Sequence, residues 1–427
     1  SRNHHLPALT AANFSQVIPD GIYTVPASEV TEAYGWWGEQ SLDVAAVHGS
    51  APGARIVYVG STDSGTSLTT ALFDTILLHR ADVITNSWGE GGDSDTAADI
   101  AAYDQAFEVA AAEGITVLFS SGDDGDLSQL NGVASSSLPG DSPYATGVGG
   151  TSLLLRNRYG AKAEYGWGSY RDLLADVTVR SATEVATSGL VQTTAYGETF
   201  AAFSFYAGSG GGISLVQPQP DYQAAVVPAA LATTLNEAAG YAVPISARRV
   251  SPDISAVADP YTGYLYGETY TIAGNALADQ GCSKLTATTE YCEFSIGGTS
   301  LASPVIAGLF ATLDQIRGLT GRHIVGFANP YLYGLKIGRT TNSAGINQVL
   351  PPAKPTSLLR GYASNLNQAR LVTINSVPEV IFTTPFPVQV CGDTICEGLN
   401  DVFNVTTPGY NDVTGLGVPF LPRLAFE

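Results

Sequence analysis

From residue 54 to 126 the chain alternates short, nearly unbroken apolar runs with amphipathic stretches, and few folds accept that rhythm. ARIVYVG ends at Gly60, TSLTTALFDTILLHR follows, and ADVITNSWG, DTAADIAAYDQAFEVAAAEG and ITVLFSSGDDGD come after it. Strands that are apolar on both faces need helices above and below them, which predicts an α/β fold with a doubly wound, mainly parallel sheet. In such a sheet the chemistry belongs where strands end and loops begin. That places NSWG, with Ser87, Trp88 and Gly89, and SSGDDGD at the candidate site.

The remaining sequence adds no sign of a second unit. Nothing marks a hinge, so residues 1–427 are read as one large catalytic domain. The stretch from about Arg156 to Tyr206 has few turn signals and reads as an elaboration on the sheet. GSGGGIS (208–214) is too rich in glycine for the interior of an element and predicts a turn or a close backbone approach. LASPVIAGLFATLDQIRG predicts a buried helix ended by Gly318, with Pro304 in its first turn.

Nineteen Lys and Arg against 39 Asp and Glu give a net charge of −20, which argues against nucleic acid or an anionic membrane as partner and suits an acidic habitat. No apolar run approaches the ~20 residues that span a bilayer, and the N-terminal residues lack the order of a signal peptide. A chain opening on Ser1 reads as a processed form. Cys282 with Cys292 and Cys391 with Cys396 form two local pairs without zinc spacing, and two short-loop disulfides of a secreted protein are expected. Asn13 and Asn404 open glycosylation tripeptides of little weight.

In SIGGTSLASPVIAG, Ser300 stands at the start of the predicted helix, where the dipole and free amides favour a nucleophile whose substrate develops an oxyanion. The plain alternative is that Gly-Thr-Ser only caps the helix. A nucleophile needs a base, and the five histidines offer none. His48, in VHGSAPGARI, is the tempting one, but APGARI follows it at once. Glu39 and Asp43, four apart in YGWWGEQSLDVAAVHG, share one face if that stretch is helical. Beside Trp36, Trp37 and the apolar Val44–Val47 they would repel each other and hold a proton above the usual carboxylate range. Such a pair can act as base and orienter for a serine. A solvated acidic helix face is the other reading.

These motifs, with SWG (87–89), SSGDDG (120–125), LPGDSPYATGVGGTSL (138–153), SGGGIS (209–214), RVSPDISAVADPYTGY (249–264), GGTSLASP (297–304) and PGYNDVTGLG near the C-terminus, occur in an order that resembles the sedolisin family, serine-carboxyl peptidases with a subtilisin-like fold. The resemblance implies Ser300 as nucleophile, Glu39 as general base, Asp43 as its orienting partner and Asp123 as the oxyanion-hole acid. Asp124 and Asp126 are rivals for that last role. A carboxylate would repel an oxyanion, so Asp123 must be protonated, which implies activity below roughly pH 5 if its pKa stays near ~4. Ser87, Trp88 and Gly89 resemble the strand that pairs with extended substrate.

The family also implies one Ca²⁺ within about residues 395–420, held by Asp401, Val402, Thr407, Gly409 and either Asn411 or Asp412. It further implies a pro-domain as an earlier partner and a protein or peptide substrate, with a monomer expected. The activity expected is that of a secreted acid endopeptidase. A tripeptidyl-peptidase, a neutral subtilisin-type protease using His48 and a silent binding protein are the rivals.

Overall fold

In the computed structural model the described residues are 5–19, 21, 30–90, 95–128, 133–157, 160–173, 192–195, 198–201, 204–233, 246–260, 262–270, 290–336, 345–350, 370–374, 377–383, 404 and 406–426. The predicted rhythm is present. The chain runs through β1 (Phe14–Val17), α1 (Val30–Ser50), β2 (Ile56–Val59), α2 (Thr66–Leu77), β3 (Val83–Asn86), α3 (Ala97–Ala112), β4 (Thr116–Ser120), β5 (Thr146–Asn157) and β6 (Gly160–Gly166). Then follow β7 (Gly212–Pro218), β8 (Arg248–Ser251), β9 (Ile254–Val257), β10 (Tyr264–Tyr270), β11 (Glu290–Ile296), α4 (Thr299–Leu319) and α5 (Ala328–Gly334).

The central sheet has the order β9-β5-β4-β3, all parallel, with β6 folded back antiparallel on β5. Its double winding is visible in β4. Val117 and Phe119 join Leu72 and Ile76 of α2 and Tyr103, Phe107 and Ala110 of α3 in one cluster. Leu118, pointing the other way as the period of two requires, packs with Ala302, Ile306, Phe310 and Leu313 of α4. Thr96 caps α3 through a reciprocal capping box with Asp99, as DTAAD encodes. Beneath the sheet Arg249 and Asp253 form a fully buried two-pronged ion pair at 2.8 and 2.6 Å, with Tyr333 Oη donating to the same carboxylate.

Three expectations change. The stretch after Arg156 is more than a cover. Ser204–Gly208 pairs with Gly168–Leu173, which pairs with Val377–Thr383, which pairs with Arg370–Ile374, in a separate four-stranded antiparallel sheet. Gly318 does not end the last long helix, which runs to Leu319 and closes at Gly321, whose φ is +73°. Pro304 is the sixth residue of α4, beyond its first turn, so one helical carbonyl must find another donor. No helix among the described residues is long and apolar enough to cross a membrane. Cys282, Cys391 and Cys396 lie outside the described residues, and so do both expected pairings.

Candidate active site

The site forms where α1, the end of β3, the loop after β4 and the N-terminus of α4 meet. The contact between α1 and α4 has a simple origin. Leu42 and Ala46 of α1 are buried against Leu301 of α4, and Ser50 lies under Gly308, where a Cβ would stand 2.6 Å from the serine Cβ. Glu39 and Asp43 face the nucleophile from the same helix turn sequence that buries Leu42 and Ala46.

Burial is the main influence on both carboxyls. It lifts Glu39 to about 7, with the Asp123 charge adding to the rise and the hydroxyls of Ser300 and Ser87 opposing it. Asp43 is pushed well above the usual carboxylate range by burial and by the Glu39 charge. Glu39 Oε1 is buried and receives no hydrogen bond among the described residues. The pair therefore shares protons, and its two titration steps belong to both groups. Trp36 and Trp37, expected to screen the pair, line one cavity with it and are 36% and 42% exposed.

Ser300 is the second residue of α4, and its N–H has no intrahelical acceptor. Gly298 precedes the helix with φ +92°, a conformation that favours glycine. Asp123 Oδ1 accepts from Thr299 N at 2.7 Å and Thr299 Oγ1 at 2.8 Å, which ties the acid to the nucleophile's helix. Its Oδ2 lies on the Gly298 side, 2.7 Å from where a Cβ there would be. Burial raises Asp123 above the ordinary range, against the pull of the two Thr299 bonds. Of the rivals, Asp124 lines the same cavity but is exposed, its backbone bridging to Gly208, and Asp126 is buried with Oδ1 accepting from Ser128 N at 2.8 Å.

The glycine loop explains how the Asp123 loop is held. Gly208 N donates to Asp123 O at 2.8 Å and Gly210 N to Gly122 O at 2.7 Å. A Cβ at Gly210 would strike the Ser121 carbonyl, and one at Gly211 the Asp412 carbonyl. SGGGIS is thus a close backbone approach, as its composition predicts.

SWG brings more than a strand end. Ser87 Oγ donates to Asp43 Oδ1 at 2.7 Å and stands 3.3 Å from the Ser300 carbonyl. That carbonyl is the one left without its helical donor by Pro304. Trp88 packs edge-on to Phe119 at 5.2 Å and also lines a cavity of about 210 Å³ with Gly89, Asp123, Ser137 and Ser300. The sequence reading missed Thr299 and the Ser87 hydroxyl. The tripeptide Gly-Thr-Ser carried the first, while nothing local to Ser87 reveals a partner 44 residues away.

His48 is remote from this chemistry. It lies in the last turn of α1, buried, with Nε2 2.7 Å from the Pro7 carbonyl. Asn404, buried with Nδ2 donating to Gly211 O at 3.1 Å, is no open glycosylation acceptor.

Of the expected calcium ligands, Asp401 and Val402 lie outside the described residues. Asn411 is committed to its own turn: Oδ1 accepts from Val413 N, Thr414 N and Thr414 Oγ1, and Nδ2 donates to Thr407 O. Gly409 O accepts from Gln348 Nε2 at 3.0 Å. Asp412 supplies the one carboxyl of this turn, beside its backbone carbonyls. Among the described residues no group of three His, Cys, Asp or Glu side chains is gathered around one point.

Residues 30–324 match the subtilase family. The chain is 32% identical to kumamolisin of Bacillus sp. (strain MN-32) over 309 residues, 70% of this chain and 42% of that protein. It is 27% identical to tripeptidyl-peptidase 1 of Canis lupus familiaris over 347 residues, 80% of this chain and again 42% of the relative. The chain therefore spans less than half the length of these curated relatives. Among solved structures, Pseudomonas sedolisin, a serine-carboxyl proteinase complexed with two molecules of pseudo-iodotyrostatin, aligns with a TM-score of 0.55 at 22% identity, covering 99% of this chain and 85% of that one.

Proposed function

The chain belongs to the subtilase family, in its sedolisin branch of serine-carboxyl peptidases, and on that premise we propose that it is an acid-active endopeptidase working through an acyl-enzyme on Ser300. The observation that carries this reading is the convergence of Ser300, the coupled Glu39–Asp43 pair and Asp123 at one helix N-terminus.

In this reading the Ser300 oxygen attacks the scissile carbonyl while its proton passes to Glu39. Asp43 shares the proton load and keeps Glu39 aimed. The oxyanion is met by the Ser300 N–H and by the acid proton on Asp123 Oδ2, since Oδ1 is occupied by Thr299. The proton on Glu39 then goes to the leaving amine, and water repeats the sequence to release the acyl group.

The pH dependence follows from the groups. Asp123 must be protonated, and at least one of Glu39 and Asp43 ionised. Because burial raises all three, the expected window shifts upward from one set by ordinary carboxyls. Secretion into acidic surroundings, a pro-domain and a monomeric state belong to the same proposal, as does Ca²⁺. The backbone carbonyls and the Asp412 carboxyl of the turn at 407–412 are oxygen donors that suit Ca²⁺, while the Asn411 oxygen accepts from three donors of its own turn. A fall in Tm with chelator, restored by Ca²⁺ and weakened in Asp412→Ala, tests it.

Likeness to tripeptidyl-peptidase 1 favours a second reading, release of tripeptides from free N-termini. A pH–rate profile on an unstructured protein, with product masses, for wild type and Glu39→Gln separates the cases. Acid-confined cleavage lost in the variant supports the carboxylate base, and product lengths distinguish the two modes. A neutral optimum indifferent to Glu39 overturns the proposal.

A further inference from the structure

The cavity of about 210 Å³ beside Ser300 lies on one side of the nucleophile. Asp123, Thr299 and Ser300 line it, whereas Glu39 and Asp43 do not. In the proposed reaction Glu39 hands its proton to the leaving amine, so the leaving half of a substrate lies toward Glu39. A side chain entering on the Asp123 side therefore belongs to the acyl half, at the residue whose carbonyl Ser300 attacks. The volume is below the roughly 300–1,000 Å³ of pockets that hold whole small molecules, and it suits one long side chain.

The walls are amphipathic. Trp88 and Leu127 give two apolar surfaces, and Trp88 is fixed edge-on against Phe119. Three of the lining hydroxyls are engaged: Ser87 Oγ with Asp43, Ser121 Oγ with Gly210 O and Thr299 Oγ1 with Asp123. Ser120, the last residue of β4 and 8% exposed, lines the cavity with Ser137, and neither hydroxyl has a hydrogen bond to a described residue. Asp124 adds an exposed carboxyl. Its charge reaches Asp123, whose titration it raises, so the two carboxyls stand near each other. Among the described lining residues none is Lys, Arg or His. Asp123 acts as a neutral acid in the reaction, which leaves Asp124 to set the charge of the cavity.

We propose, resting on the peptidase reading above, that this cavity selects lysine or arginine at the residue whose carbonyl is attacked, with Asp124 as the specificity-determining carboxylate. Each rival side chain leaves part of the wall unmatched. An apolar one covers the Ser120 and Ser137 hydroxyls without giving them a partner, and an acidic one meets the Asp124 charge. A long cationic side chain matches both kinds of wall. Its methylene stem lies along Trp88 and Leu127, and its head donates to the hydroxyl oxygens and to Asp124. Burial lifts Asp124 above the ordinary carboxylate range, and a cation beside it favours the ionised form again.

The test uses internally quenched peptides that differ only at that residue, with product masses confirming the bond cut. Arginine is compared with citrulline and lysine with norleucine, pairs of similar shape that differ in charge. The charged member is expected to have a kcat/KM about 10-fold higher or more. Asp124→Asn is expected to bring both ratios near one, and Asp124→Glu to keep them above one. The bridge from Asp124 to Gly208 is made by backbone, so the loop tolerates these changes. Ratios taken at one pH cancel any effect of Asp124 on Asp123. Ratios near one in the wild type, or unchanged in Asp124→Asn, overturn the proposal while leaving the peptidase reading intact. A second arm needs no catalysis. Calorimetry on Ser300→Ala measures binding of product peptides that end in arginine or in citrulline. Tighter binding of the arginine peptide, lost with Asp124→Asn, is expected even if no peptide is cleaved; equal binding, or none, overturns the proposal.

Discussion

Ser87 Oγ donates a 2.7 Å hydrogen bond to Asp43 Oδ1 and stands 3.3 Å from the Ser300 carbonyl, so one hydroxyl at the end of β3 touches both the carboxyl pair and the helix of the nucleophile. The second contact exists because Pro304 cannot donate to that carbonyl. This makes Ser87 a positioning residue for the Glu39–Asp43 pair, beyond its place on the substrate-facing strand.

Ser87→Ala is expected to lower kcat about 10- to 100-fold with KM little changed, the range in which a positioned proton-transfer group contributes. The Ser87 hydroxyl favours the ionised forms of Glu39 and Asp43. Its loss raises their titration, so the acid limb of the rate profile moves to higher pH. Ser87→Thr, which keeps the hydroxyl, restores the limb. A unit-for-unit loss at every pH, with no shift of the limb, would mean that Ser87 acts on the fold alone.

Asp123→Asn separates the oxyanion donor from proton uptake. In the wild type, activity is lost as pH rises through the raised titration of Asp123, because the ionised form cannot donate. An amide keeps an acceptor for Thr299 and a donor toward the oxyanion at any pH. The alkaline limb of kcat is therefore expected to move up, while the acid limb, set by the carboxyl pair, stays in place. A profile unchanged on the alkaline side refutes the assignment.

Asp141 offers a check on stability remote from activity. Buried, with Oδ1 unpartnered and Oδ2 accepting from Ser214 Oγ at 2.5 Å, it is lifted from 3.8 to about 7, chiefly by burial. The folded state thus holds a proton that the unfolded state releases. Stability from this group is full below 3.8 and falls as pH rises to about 7, beyond which the loss is complete. At ~1.4 kcal/mol per pKa unit, Asp141→Asn is expected to gain roughly 2–4 kcal/mol at pH 8 and little at pH 4. Denaturant midpoints at the two pH values decide it.

Gly211→Ala should destabilise the fold by a few kcal/mol, since its Cβ would meet the Asp412 carbonyl of a buried turn. The Asp123 loop hangs on the same glycine segment through Gly208 and Gly210. A drop in Tm accompanied by a loss of kcat is expected, whereas Gly409→Ala, with nothing within 4 Å, should strain only its own positive φ.

Much of this protein was legible because its signals are local. The parallel sheet follows from apolar runs spaced by amphipathic helices, and the shared face of Glu39 and Asp43 from their spacing of four. The close approach of the glycine loop follows from three glycines in a row. Each of these depends on a few neighbouring residues and on backbone geometry that every chain obeys.

What only the tertiary structure decided depends on groups far apart in sequence. Ser87 meets Asp43 across 44 residues, and Asp123 meets Thr299 across 176. The burial that raises Glu39 is reached only when α1 packs on α4, a helix more than 250 residues away in sequence. Asn411, a reasonable cation ligand by composition, turns inward because three donors of its own turn claim its oxygen.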